Sequence, residues 1–213
     1  AVNIKKKFSI KNNFLSINKV TNACMKYNIE KFIFMSSCSV YGASDILCSE
    51  KSKLNPVSLY AKCKIQSEKI ILNRALKSSL CPIILRLSTV HGLSHRHRLD
   101  LVANKFTAYA QKKKYIKLFG GGNWRPFIHV KDICDIILTC LKKENNKVKN
   151  KIYNIGSNKE NYQIQDIIKI LSKKIKFSVE SDKTFNDRRN YRVSFKKFNK
   201  DFNYKFKYDL KKS

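Results

Sequence analysis

The chain has 213 residues, of which 43% are hydrophobic and 28% charged, and its formal net charge at pH 7 is +30. This composition is sufficient for a globular core, and no apolar run approaches the roughly 20 residues that a membrane-spanning helix needs. Because lysine is spread along the whole chain, we interpret the charge as a solvated surface and predict no specific nucleic-acid binding and no membrane association. A basic binding module is the alternative.

The seven cysteines are odd in number and include no Cys-x-x-Cys pair. This pattern predicts reduced thiols, a cytoplasmic location and no metal site. His95 and His97 have no acidic or cysteine partner at ligand spacing, so their loop is predicted to be solvated. The N-terminus has neither an initiator methionine nor the basic-then-apolar order of a signal peptide, which we expect of a fragment.

Apolar periodicity predicts alternating helices and strands in the first part of the chain. Short, wholly apolar runs predict buried strands over 32–35 and 83–87, and helices are predicted over 14–28 and 58–77 with a loop over 43–57. Such alternation is typical of a parallel sheet with crossover helices. Further along, we predict helices over 101–111, 133–141 and 164–175, and strands over 115–119, 127–130 and 151–155. Gly120–Gly122 is predicted to be a hairpin turn.

A Tyr-x-x-x-Lys spacing places both side chains on one helical face, but in this lysine-rich chain the spacing occurs four times. The pair Tyr60 and Lys64 is distinguished by its context. It follows, after one loop, a strand that ends in Ser36 and Ser37, and the next strand also ends in hydroxyl residues. These groups are expected to meet at the carboxyl edge of a parallel sheet, where open α/β folds bind ligands. A neighbouring ammonium favours a tyrosine phenolate, so the group could transfer protons.

At these residues the chain resembles the extended short-chain dehydrogenase/reductases, in particular the NAD-dependent nucleotide-sugar epimerases and dehydratases. The segments that carry the resemblance are FIFMSSCSVYG, SLYAKCK, RLSTVHG, NWRPFIHVKD and DRRNYRVS. The resemblance implies an α/β fold with a Rossmann-like parallel sheet that lacks its N-terminal strands, and a smaller C-terminal substrate-binding lobe. It assigns residues 1–92 and 125–156 to the NAD-binding domain, and residues 93–124 and 157–213 to the lobe. Ala1-Val2-Asn3 resembles the end of a family strand.

The resemblance also implies roles for individual residues. The implied catalytic residues are Ser37, Tyr60 and Lys64. The implied NAD-binding residues are Asn18, Ser36, Tyr60, Lys64, Leu87 and Thr89. The implied substrate-binding residues are Ser37, Asn104, Arg125 and Arg189, of which the last three would hold the diphosphate of a nucleotide-diphosphate sugar. His91 replaces the tyrosine usual in the family, and His129 is expected to be structural.

Two departures from the family pattern limit the assignment. None of the six glycines can form the GxxGxxG loop that holds the NAD pyrophosphate. The chain is therefore expected to be incomplete by itself. Its expected partner is a complementing N-terminal fragment or a second copy in a homodimer. Family dehydratases carry an Asp-Glu pair where this chain has Cys38 and Ser39. The sequence therefore favours 4-epimerisation through a 4-keto intermediate. The alternatives are a 4-keto reductase or dehydratase, and a non-catalytic remnant.

Overall fold

The computed structural model describes residues 6–182 and 187–212. The segment Ala1-Val2-Asn3, expected at the end of a strand, lies outside the described residues. Within those two ranges, no helix combines the length and the apolar character that crossing a membrane requires. All seven cysteine thiols are free.

The described residues form eight α-helices and ten strands. The helices are α1 (Lys6–Ile10), α2 (Ser16–Lys26), α3 (Leu59–Ala75), α4 (Val102–Lys112), α5 (Val130–Lys142), α6 (Asn145–Val148), α7 (Ile164–Ser172) and α8 (Lys196–Phe202). The strands are β1 (Lys31–Ser37), β2 (Ala43–Cys48), β3 (Cys81–Leu87), β4 (Thr89–His91), β5 (Tyr115–Phe119), β6 (Trp124–His129), β7 (Lys151–Ile155), β8 (Asn161–Gln163), β9 (Ser178–Asp182) and β10 (Asn190–Val193).

The central sheet is parallel and has the order β1-β3-β7. Ser37 of β1 lies opposite Leu87 of β3, which lies opposite Ile155 of β7, so the three strands end at one edge. The prediction that the first two apolar runs lie side by side in a parallel sheet is confirmed. Within the described residues, the outer edge of β1 has no strand beside it.

Helices cover both faces of this sheet, which makes a three-layer α/β arrangement. Phe34 and Ile84 point to one face, where they pack with Ile71 of α3. Ile83 and Leu85 point to the other face and pack with residues of α5. This division follows from the alternation of side chains along a strand, and it explains why these strands are apolar throughout.

A second core lies beyond the end of β3. Strand β4 pairs in parallel with β6, and β6 pairs antiparallel with β8. Helices α4 and α7 pack together with β5, and Phe106, Ile116 and Ile167 are buried there. This core draws mainly on the residues assigned to the C-terminal lobe, and β10 and α8 pack elsewhere. Phe198 of α8 lies in the core of the central sheet. The division of the chain into two domains stays a prediction.

Three local predictions are wrong. Gly120–Gly122 do not form a hairpin, because β5 pairs in parallel with β9 and β6 pairs with β4 and β8. The predicted loop 43–57 contains β2, which pairs with β10 from the far end of the chain. The first helical segment starts at Lys6 rather than at 14, and runs through a π-helical turn, Lys11–Leu15, into α2.

Candidate active site

The turn after β1 sets the position of the helix that carries Tyr60. Ser37 caps a short 3-10 helix, Cys38–Tyr41, by accepting a hydrogen bond from the backbone N–H of Ser39. The backbone N–H of Asn55 then donates to the carbonyl of Val40, which returns the loop to the strand end. Ser58 caps α3 through the backbone N–H of Ala61 at 3.2 Å. A serine N-cap satisfies one of the open N–H groups of a helix start, so α3 begins here rather than later.

The structure brings Ser37, Tyr60 and Lys64 together at the carboxyl end of β1. Ser37 lies beside Tyr60 and lowers the pKa of its phenol. The Lys64 ammonium lies 5.6 Å from the centroid of the Tyr60 ring and donates a 2.7 Å hydrogen bond to the carbonyl of Met35. It also lies 4.6 Å from the centroid of the Phe34 ring. Ser37, Tyr60 and Lys64 thus place a hydroxyl, a phenol and an ammonium at one strand end, which are group types that general acid–base catalysis uses.

Burial acts against the charged forms of both titratable groups. It raises the pKa of Tyr60, although the hydrogen bond with Ser37 and the positive charge of Arg98 lower it. It lowers the pKa of Lys64, although the carboxylate of Glu68 raises it. Arg98 is therefore a second cation near Tyr60, in addition to the Lys64 that the sequence indicated. Arg98 belongs to the exposed loop for which no role was predicted, and no sequence signal places it near α3.

The four remaining residues predicted to bind NAD lie at different distances from this centre. Leu87 is the last residue of β3 and lies opposite Ser37. Thr89 begins β4, one residue beyond that edge. The Ser36 hydroxyl donates to Glu68 of α3 and is buried. Asn18 lies on α2, where its backbone carbonyl accepts a hydrogen bond from Arg74.

The two predicted substrate arginines meet at one carboxylate. Arg125 is only 4% exposed and donates to Asp187 at 3.0 Å. Arg189 is more exposed and also donates to Asp187, at 2.9 and 2.7 Å. Arg125 further donates to the carbonyls of Arg189 and Trp124. Two guanidinium groups around a carboxylate make an anion-selective corner, since guanidinium binds carboxylate and phosphate in the same bidentate way.

Asn104 contacts a different segment from these arginines. Its side-chain oxygen accepts from the backbone N–H of Gly92 at 3.3 Å, and its amide nitrogen donates to the carbonyl of Arg98 at 3.1 Å. Asn104 therefore ties α4 to the loop that carries Arg98. Arg98 itself is paired with Asp100.

A cavity of about 470 Å³ opens between the loop before α3 and the segment that begins at residue 187. Its lining residues are Lys6, Asn55, Pro56, Val57, Ser58, Leu59, Lys62 and Arg188. Three of these residues are cations and none is acidic. The cavity adjoins both the start of the helix that carries Tyr60 and the neighbour of Arg189. Its positive lining favours an anionic ligand.

His91 is buried at the end of β4. Its ring meets those of His129 and Phe127 edge-on, with centroids 5.2 and 6.5 Å apart. Its Nε2 atom has no hydrogen-bond partner among the described residues. His129 accepts a hydrogen bond from the backbone N–H of Lys131 and stacks on Tyr208, which agrees with the predicted structural role.

We expect His91 to weaken the fold in acid. Burial, followed by repulsion from His129, lowers the pKa of His91 from 6.5 to about 4, although Asp209 opposes the shift. The unfolded chain therefore binds this proton at higher pH than the folded chain. The resulting stabilisation of about 3 kcal/mol is complete above pH 6.5 and is lost as the pH falls towards 4. Urea unfolding across this range should show a weaker pH dependence for His91→Phe. The exposed-site control His95→Phe should match the unaltered chain, and an unchanged slope for His91→Phe would contradict the assignment.

Sequence reasoning missed one buried acidic residue at this site. Glu68 is the single acidic residue of α3, lies one helical turn beyond Lys64 and is 3% exposed. It forms a salt bridge with Arg86 of β3 at 2.7 Å. A lone glutamate four residues after Lys64, on the same helical face, is the signal that could have identified it.

Comparison with known proteins agrees with this arrangement of strands and helices. The sequence profile of the NAD dependent epimerase/dehydratase family matches residues 2–156, which is most of the chain. The chain belongs to this family. An uncharacterized UDP-glucose epimerase from Bacillus subtilis is 30% identical over 132 residues, which cover 62% of this chain and 41% of that protein. Human dTDP-D-glucose 4,6-dehydratase is 31% identical over 155 residues, covering 72% and 43%.

The solved structures of family members superpose on nearly the whole chain. UDP-glucuronic acid 4-epimerase from Bacillus cereus, solved with UDP-glucuronic acid and NAD, gives a TM-score of 0.86 at 25% identity and covers 96% of this chain and 65% of its own. The dTDP-glucose 4,6-dehydratase of Bacillus anthracis, solved with NAD, gives 0.80 at 23% identity, covering 97% and 66%. The Rossmann-like α/β fold is thereby confirmed. The chain spans about half the length of the curated relatives it matches.

Proposed function

We propose that this chain carries the catalytic centre of an NAD-dependent nucleotide-sugar 4-epimerase. The observation that supports this most directly is the convergence of Ser37, Tyr60 and Lys64 at the carboxyl end of β1. Family membership supports an enzyme that acts on nucleotide sugars. The reaction within the family is our inference from the residues around this centre.

In this proposal Tyr60 takes the proton from the sugar O4 and later returns it. Ser37, which lies beside Tyr60 and lowers the pKa of its phenol, holds that sugar hydroxyl. Lys64 lies over the Tyr60 ring, so its positive charge favours the phenolate. The 4-keto sugar then turns over in the site before it is reduced from its other face.

Hydride transfer at C4 of the sugar would be supplied by NAD when it is bound. The described residues fit the nicotinamide end of this cofactor for two reasons. Around the carboxyl ends of β1 and β3 lie Tyr60, Lys64, Leu87 and Thr89. The Oγ atom of the neighbouring Ser39 is buried and has no hydrogen-bond partner among the described residues. Asn18 and Ser36 lie further back and would support the pocket. No glycine loop for the pyrophosphate occurs in the 213 residues.

The residues that follow Ser37 argue against dehydration. Eliminating water from the sugar requires an additional acid and base, which the family dehydratases place directly after the hydroxyl residue. Here Cys38 is fully buried, donates to the carbonyl of Arg86, and has a pKa that burial raises far above its usual range. Ser39 has no ionisable group. Neither residue can exchange protons with a sugar near pH 7.

We infer that the substrate is a nucleotide-diphosphate sugar held at its diphosphate by Arg125 and Arg189. Arg125 is buried, and burial lowers its pKa because it disfavours the charged guanidinium. An additional anion beside Arg125 would stabilise that charge. Asn104, on α4, is inferred to orient the same group. The cations of the neighbouring cavity, Lys62 and Arg188, add to the attraction for an anionic substrate.

Two measurements test the proposal. The 213-residue chain by itself should bind NAD weakly in calorimetry, because it lacks donors for the pyrophosphate, and addition of an N-terminal segment with GxxGxxG should restore binding. With that segment, UDP-sugars should interconvert at C4 without loss of water. Micromolar NAD binding by the chain alone would contradict the expected division of the cofactor site. A dehydrated sugar as the main product would contradict the epimerase assignment. A homodimer and a cytoplasmic location stay predictions.

A further inference from the structure

A buried carboxylate joins the helix of Tyr60 and Lys64 to the sheet. Glu68 accepts hydrogen bonds from Arg86, through Nε at 3.1 Å and Nη2 at 2.7 Å, and from the Ser36 hydroxyl. All three side chains are about 3% exposed. We call Ser36, Glu68 and Arg86 the Glu68 clasp.

The clasp closes on the same stretch of strand that holds the proposed catalytic residues. The carbonyl of Met35 accepts from Lys64, the hydroxyl of Ser36 donates to Glu68, and the next residue, Ser37, lies beside Tyr60. Three consecutive residues of β1 thus hold three residues of α3 that are spaced four apart. Since that spacing brings the three helical residues onto one face, a shift of any one contact displaces the others.

The clasp also extends across the sheet. Arg86 donates to the Tyr41 hydroxyl at 3.0 Å, and Tyr41 donates to the side-chain oxygen of Asn154 on β7 at 2.7 Å. Tyr41 and Asn154 are fully buried. The network therefore links all three strands of the central sheet to α3.

Stability alone does not account for such a network. A buried ion pair loses the hydration of both charges, and replacing it with apolar side chains of similar volume is often neutral or stabilising. Glu68 has a second effect that an apolar residue cannot reproduce. Its negative charge opposes the burial that lowers the pKa of Lys64, and so favours the ammonium.

We propose that Glu68, fixed by Ser36 and Arg86, is a positioning residue that holds Lys64 and Tyr60 against the end of β1. The proposal rests on the proposed function of these two residues. Loss of the Glu68 charge should make Lys64 easier to deprotonate. A neutral lysine no longer favours the tyrosine phenolate, so the clasp acts on proton transfer without touching the substrate.

The test uses the chain without cofactor, so its outcome is independent of turnover. The Cε resonance of Lys64, identified by its absence in a Lys64→Arg chain, is followed by NMR as the pH rises. In Glu68→Gln the titration midpoint of Lys64 should fall by roughly one pH unit, as expected when an opposite charge nearby is removed. The matched control is Asp132→Asn. Asp132 is another buried helical carboxylate, which accepts from Tyr204 and from the backbone N–H of Lys207, and its loss should leave Lys64 unchanged.

A second variant covers the case in which Glu68→Gln does not fold because Arg86 is left without its partner. The double variant Glu68→Met/Arg86→Met removes both charges at similar volume, and should keep its urea midpoint while the Lys64 midpoint still falls. A folded double variant with an unchanged Lys64 midpoint would overturn the proposal. Failure of both variants to fold would also overturn it, because Glu68 and Arg86 would then be required for folding itself. A shifted Lys64 midpoint in a chain that shows no epimerase activity with its N-terminal segment would contradict the proposed function while supporting the clasp.

Discussion

Substitution of Tyr60 by phenylalanine should lower kcat about 10²–10⁴-fold, the range that general acid–base catalysis contributes. The ring of Tyr60 packs beside the Lys64 ammonium, and its hydroxyl is the group whose pKa Ser37 lowers. The variant therefore loses the proton-transfer group and keeps the shape of the site. Turnover of UDP-sugars is measured with the N-terminal segment present, and NAD binding is measured on the same preparation by calorimetry.

The chain offers a matched control for this experiment. Tyr109 and Lys113 repeat the Tyr-x-x-x-Lys spacing at the end of α4, and the Lys113 ammonium lies 4.7 Å from the Tyr109 ring centroid. Tyr109→Phe should leave kcat unchanged, because Tyr109 packs against the core formed by α4, α7 and β5. Equal turnover in Tyr60→Phe and Tyr109→Phe would exclude Tyr60 as the base.

Substitution of Gly42 by alanine should lower the free energy of unfolding by more than about 2 kcal/mol. Gly42 has a φ of +63°, and a Cβ atom there would lie 1.7 Å from the backbone carbonyl oxygen of Asn55. That carbonyl belongs to the loop that leads into α3, and the loop cannot retreat without moving the helix. The carbonyl of Gly42 also accepts from the backbone N–H of Asn190, so the C-terminal segment would be displaced too.

Gly122→Ala provides the control for Gly42→Ala. No atom lies within 4 Å of a Cβ built at Gly122, so its substitution should change the free energy of unfolding by no more than about 0.5 kcal/mol. Urea denaturation followed by circular dichroism measures both. Similar unfolding midpoints for the two variants would show that the turn after β1 tolerates a side chain.

The parts of the fold that follow from local pattern could be predicted from the sequence. The apolar runs over 32–35 and 83–87 form neighbouring parallel strands, because a strand covered on both faces has to be apolar throughout. The helix predicted over 58–77 is α3, with Ser58 as its N-cap. The motif around Tyr60 was informative because it combined a strand end, a loop and a helix.

The features that the sequence did not predict depend on contacts between distant segments. Strand β2 is short and mostly exposed, and it becomes a strand only because β10 pairs with it. The glycine run suggested a hairpin, but β9 binds the edge of β5 instead. Arg98 lies near Tyr60 through long-range packing of this kind, whereas Glu68 lies on the same helix as Lys64 and pairs with Arg86 of β3. Neither residue belongs to the motif that drew attention to the site.

The pairing of β2 with β10 has a consequence for the order of folding. The unit formed by β1, α3 and β3 uses contacts within one short stretch of chain, whereas β10 must return from near the C-terminus to reach β2. Closing so long a loop costs more conformational entropy than the local unit requires. The proton-transfer side of the site is therefore expected to form first, and Arg189 to arrive last. Pulse-labelling hydrogen exchange during refolding should protect β1 and β3 before β2 and β10; simultaneous protection would indicate a single cooperative step.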